Sequence, residues 1–223
     1  MSKKIILSLL LLFSPYAISQ ISSTNPQPVK EITKENKKTN NNENEINFTS
    51  EQILQMDEHL SKGEYQEFFS IITKIKVSKN NYISFLTSKE SQGHIPLYWL
   101  ISDFYAKEKN ELEAHKWFYI ALIMTQQDSY LCKDKTARNA PRILMDFFPE
   151  ALYLTRSTPK NIEPAMREVI YFISNIKTRI HPSWVCFYGT KPITSGKEIL
   201  IDKSYWKKTR EEVFSKTTDK FQK

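Results

Sequence analysis

The sequence predicts an all-α protein of stacked antiparallel helical hairpins, a short α-solenoid, ending in an irregular extended segment and a final helix. Three observations carry this reading. Apolar residues recur at helical spacing in segment after segment, each bounded by caps or breakers. Glycine is scarce, four in 223 residues, which argues against a sandwich, a barrel or a nucleotide-binding parallel sheet. Residues 96–132 hold two helical patterns joined by a short polar turn at 107–110, and the remaining segments are arranged on either side of that pair.

In the first helix of the pair, Pro96 suits the opening position, where its missing N–H would be unpaired anyway. Leu97, Leu100, Ile101 and Phe104 share one face. Asn110 caps the second helix, with Glu113 three residues on and placed to reach back. Ala114, Trp117, Ala121 and Met124 form its main stripe, and Phe118, Ile120, Leu122 and Ile123 fill the adjacent faces. A helix apolar around its girth is normally sandwiched between neighbours.

The run AHKWFYIAL at 114–122 resembles the second helix of a Sel-like repeat, a relative of the tetratricopeptide repeat. Ala114, Trp117, Phe118 and Ala121 stand where that pattern wants its small and aromatic residues; its glycines are absent, and Leu122 replaces its second alanine. Residues 96–122 form the one clear unit, and LSKGEYQEFF at 60–69 is similar to a tetratricopeptide turn. The resemblance implies a protein-binding scaffold rather than an enzyme. Within that class it points to an immunity protein that neutralises a secreted toxin effector, with an envelope-assembly adaptor as the alternative.

In chain order, residues 1–19 read as a signal peptide. Lys3 and Lys4 form its basic region, the run from Ile5 to Phe13 its apolar region, and Ala17 and Ser19 the small residues before a cleavage after Ser19. The expected location is therefore the periplasm or the outside of the cell. Residues 20–48, rich in Asn, Lys, Glu and Thr, have too few large apolar side chains to offset ordering entropy and read as a disordered tether. Asn47-Phe48-Thr49 matches the N-glycosylation pattern. Residues 49–223 then form a single helical domain.

Within that domain, Ser50 is read as the cap of a helix carrying Ile53, Met56 and Leu60 and stopped by Gly63. Tyr65, Phe68, Phe69, Ile72 and Ile75 make a second stripe. Asn80 or Asn81 caps a third helix, which Gly93 closes. After the central pair, Asp134 or Asn139 caps a helix with Pro141 in its first turn, and Pro149 kinks or ends it. Thr158-Pro159 starts another, which carries Met166, Val169, Ile170, Ile173 and Ile176 toward Arg179. Residues 184–188 read as extended, and a basic helix with Tyr205, Trp206, Val213 and Phe214 runs over about 203–215.

The formal charge is +7, or +5 without the two lysines of the signal, which favours acidic proteins or anionic envelope polymers over nucleic acid for an exported chain. No run after the signal approaches the roughly 20 apolar residues of a membrane span, so no stable insertion is expected. Cys132 and Cys186, the two cysteines, are expected to pair in an oxidising compartment. Closing that loop of roughly 50 residues contributes about 4 kcal/mol in the loop-entropy model.

No GxSxG, HExxH, CxxC, phosphate-loop or GxGxxG motif occurs, and His59, His94, His115 and His181 lack ligand spacing. No catalytic residue, metal or cofactor is therefore assigned. A periplasmic hydrolase would have to rely on His115, read as a partly exposed helix residue, and Asp128. One helix would hold those two roughly 20 Å apart, too far to act together. The best polar cluster is Asp128 with Lys133 and Arg138 in the CKDKTAR run, either a rim that grips a partner or a helix junction capped by Asp134. Tyr98, Tyr105 and Tyr119, off the main stripes, complete the candidate partner-binding set.

Overall fold

The computed structural model describes residues 47–89, 92–191 and 198–221. The expected signal peptide, and the expected tether up to residue 46, lie outside the described residues. The described chain is all-α. In order it forms α1 (Ser50–Lys62), α2 (Tyr65–Ile72), α3 (Lys79–Ser88), α4 (Ile95–Lys107), α5 (Glu111–Ser129), α6 (Ala140–Phe147), α7 (Pro149–Ser157), α8 (Ile162–Asn175), α9 (Ser183–Cys186) and α10 (Trp206–Thr218). Turns of 3₁₀ helix at Lys135–Asn139, Pro159–Asn161 and Lys203–Tyr205 lead into α6, α8 and α10.

The caps follow local chemistry. Thr49, rather than Ser50, caps α1 in a reciprocal capping box with Gln52. Ser78, rather than Asn80 or Asn81, caps α3, its side chain accepting from the Asn81 N–H. Gly63 ends α1 in the left-handed conformation. Asn110 caps α5 by accepting from the Glu113 N–H. The Glu113 carboxylate does not return to the cap; it accepts from Lys116 and from the Trp117 indole.

The core is centred on α5. This helix packs against α4, α6, α7, α8, α9 and α10. Its apolar girth is the cause, because every face carries a large apolar side chain that water would otherwise meet. Trp99 of α4 is fully buried between Phe118 and Phe148 and donates its indole N–H to Thr125 at 3.1 Å. Burying a side chain of this size stabilises by roughly 2–3 kcal/mol. Phe48, ahead of α1, packs its ring on Phe85 at 5.1 Å.

The C-terminal third departs from its sequence reading in two places. Helix α8 stops at Asn175, and residues 176–181 continue without regular secondary structure past the start of α4, where the Ile180 N–H donates to the Gly93 carbonyl. Residues 184–188, expected to be extended, begin as the helical turn α9. Pro182 has the fixed φ that opens such a turn, and Trp184 and Cys186 are anchored to α5 and its end, so tertiary contacts override the strand preference of the run.

Cys132 and Cys186 form a disulfide, Cα to Cα 5.6 Å. Beside it the chain returns to the end of α5. The Lys133 N–H donates to the Ile199 carbonyl and the Ile201 N–H to the Leu131 carbonyl, each at 2.8 Å, and α10 follows.

Candidate functional site

Asp128 sits in the last turn of α5 and is wholly buried. Its Oδ1 accepts from Arg179 Nη2 at 2.9 Å and from Arg210 Nη2 and Nε at 2.9 and 3.2 Å; its Oδ2 accepts from Trp184 Nε1 at 3.2 Å. The irregular segment 176–181 delivers Arg179, α9 delivers Trp184 and α10 delivers Arg210. Neighbouring Gln127 ties the same elements together, accepting from Arg179 Nη1 at 2.7 Å and donating to the Arg210 carbonyl at 3.0 Å.

The charge balance of this cluster is uneven: one carboxylate faces two guanidinium groups. A buried ion pair is costly unless its charges are compensated and its hydrogen bonds are made. Burial pulls the Arg179 guanidinium down to about 10, although the Asp128 charge opposes that shift. Arg179 Nε is buried without an acceptor among the described residues.

Outside the cluster lies a half-open groove of about 660 Å³ between α8 and α10. Four cations line it: Arg179 and Arg210, which are half-buried, and Lys203 and Lys207, which are exposed. Trp206 and Phe214 supply apolar surface. The single acid in the lining, Glu211, lies 3.9 Å from Lys207. The Trp206 indole donates to the Ile201 carbonyl at 3.0 Å, which fixes the ring at the groove. Cations at the mouth of a partly desolvated concavity attract anions more strongly than the same cations on an open surface.

The candidate partner-binding residues fall in different environments. Tyr98 is a correction: it is fully buried, against Trp117 and Phe172, because α4 is covered on the side facing α8 as well as along its main stripe. Tyr119 is a second: it is 5% exposed, and burial pushes its hydroxyl up to about 12. Asp128 is a third, since all its surface is taken by Arg179, Arg210 and Trp184. Tyr105 remains half-buried beside Phe104. Lys133 and Arg138 are exposed; Lys133 pairs with Glu198 at 3.1 Å, and the Arg138 guanidinium lies over the Tyr130 ring at 4.3 Å. Asp134 does cap the junction, through its contact with the Thr136 N–H.

His115 is also corrected. It is wholly buried, its Nδ1–H donating to the Glu111 carbonyl at 2.7 Å with Nε2 3.5 Å from the Thr158 hydroxyl. Among the described residues no three His, Cys, Asp or Glu side chains form a metal-ligand group. No helix there is long and apolar enough to cross a membrane.

The groove was not singled out from sequence, although part of it is written there. Lys203, Lys207 and Arg210 recur at i, i+4, i+7, a cationic stripe of helical period. Arg179 has no such signal, because the fold brings it in from another segment. No family model matches the chain, and neither a curated protein nor a solved structure gives a significant match.

Proposed function

We propose that the chain is an exported, non-enzymatic protein-binding module of the periplasm, and that it serves as an immunity protein neutralising a secreted toxin effector. The observation that carries the binding reading is the groove along α10, where cationic and aromatic side chains converge on one concavity. Clefts with an apolar floor and a few directed charged groups are the usual form of a recognition site. The two residues on which hydrolysis would depend, His115 and Asp128, are instead wholly buried and engaged in structural hydrogen bonds. The resemblance of residues 96–122 to a Sel-like repeat supports a scaffold role, and the signal-like residues 1–19 and the disulfide support export.

The test is a pull-down of the mature protein from its native periplasm, followed by expression of any stoichiometric partner with and without this chain. A partner that is toxic alone and harmless together supports immunity. A partner that is harmless alone but fails to assemble without the chain moves the role to envelope assembly. A chain that captures nothing, yet degrades envelope polymer, overturns the module reading.

A further inference from the structure

We infer that the groove between α8 and α10 docks an acidic peptide segment of the partner, its carboxylates met by Lys203, Lys207 and the Arg179–Arg210 pair and an apolar side chain laid against Trp206 and Phe214. This inference rests on the protein-binding reading above. Its argument is charge complementarity with a defined shape. Four cations line or back the groove, and two acids oppose them: Glu211 within the lining and Asp128 behind it. The excess is positive, and it is sharpest at Arg179, whose guanidinium shares one carboxylate with Arg210 and keeps a buried Nε without an acceptor.

The layout favours a peptide over a single small anion. Lys203, Lys207 and Arg210 are spread over about 10 Å of helix. That is the length of about three residues of extended chain at roughly 3.3 Å each. A lone phosphate would reach one end of this row and leave the other unused. The apolar side chains beside the row would gain nothing from a phosphate, whereas a peptide carrying both acidic and apolar residues engages both. Lys203 and Lys207 are exposed, and among the described residues Lys203 makes no ion pair.

The experiment measures fluorescence anisotropy of a fluorescein-labelled peptide alternating glutamate and phenylalanine, titrated with the full mature chain. The comparators are the same peptide with glutamine for glutamate, inorganic phosphate as competitor, and the variants K203E/K207E and K203Q/K207Q. Both lysines are exposed, and circular dichroism verifies that each variant is folded. The expected result is saturable binding of the acidic peptide, weakened roughly tenfold or more by K203E/K207E and less by K203Q/K207Q. Absence of binding, equal binding of the glutamine peptide, indifference to both variants, or displacement by phosphate at peptide-like concentration each overturns the inference. The two readings fail separately. If K203E/K207E still captures the partner from periplasm, the groove assignment falls and the module stands; if the wild type captures nothing, the module reading itself falls.

Discussion

Gly93 and Arg179 meet backbone to backbone. A Cβ added to Gly93 would lie 2.7 Å from the Arg179 Cα and closer still to the Thr178 carbonyl oxygen. Gly93 also has φ +72°, a conformation that L side chains rarely adopt. This contact sets how closely the 176–181 segment approaches the start of α4, and so how Arg179 is presented to Asp128. Gly63 is the internal control, since its φ is +73° but the nearest atom to an added Cβ is 4.0 Å away. Gly63→Ala should cost only the left-handed penalty, about 1–2 kcal/mol, whereas Gly93→Ala should cost at least about 3 kcal/mol. Urea-unfolding midpoints of the two variants would decide it; equal losses would mean that the 176–181 segment gives way at little cost.

Asp128→Ala should be among the most destabilising single changes, at about 3–5 kcal/mol, because it leaves Arg179 buried beside a second cation with no counter-charge. Arg210→Met should cost less, since Asp128 keeps Arg179 and Trp184 as partners. Combining Asp128→Leu with Arg179→Met and Arg210→Met should recover much of the loss, because the desolvation cost disappears along with the pair. Urea denaturation of the series checks the order. A triple variant no more stable than Asp128→Ala would show that the cluster stabilises the fold by more than its charges.

Much of the helical framework was legible in the chain itself. Gly63, Pro141 and Pro149 punctuate local structure, and the apolar girth of α5 requires neighbours on every side. The same girth explains the misplaced tyrosines. A stripe argument assigns one face to the core, but α4 is covered on two sides, so Tyr98 is as buried as Leu97. Residues 184–188 misled because their strand preference is local, while their anchors on Asp128 and Cys132 are distant in sequence. The Asp128–Arg179–Arg210 cluster was illegible for that reason too: each member arrives on a different element, and no spacing rule relates them.

His94 gives the fold a pH dependence whose sign can be stated. It is buried, with Nδ1 3.1 Å from the Tyr65 hydroxyl. Burial, and next the charge of Lys89, pull its pKa below the ordinary value, with Asp57 opposing. The folded state therefore holds His94 neutral at a pH where the unfolded chain, titrating near about 6.5, already binds a proton. Stability from this group is full above that pH and is lost as pH falls toward the folded-state value, with a slope of at most about 1.4 kcal/mol per pH unit. Unfolding midpoints of wild type and His94→Asn, compared across that window, should converge at the acidic end, because the variant lacks the titration. Parallel curves would assign the acid sensitivity to other groups.

The Cys132–Cys186 bridge should act mainly on the unfolded chain. In the folded state its ends are held by other means: Trp184 donates to Asp128, and the Leu131–Lys133 backbone pairs with Ile199 and Ile201. Breaking the bridge therefore need not release α9 or residues 199–201, but it restores the freedom of a loop of roughly 50 residues in the unfolded ensemble, about 4 kcal/mol. Cys132→Ala/Cys186→Ala should keep the native far- and near-ultraviolet circular dichroism while its unfolding free energy, measured by urea denaturation, falls by about that amount. The oxidised wild type should show no alkylatable thiol until reduced. If the double variant lost its near-ultraviolet signal while helix content persisted, the bridge would be holding Trp184 in place, and its stabilising effect would belong to the folded state instead.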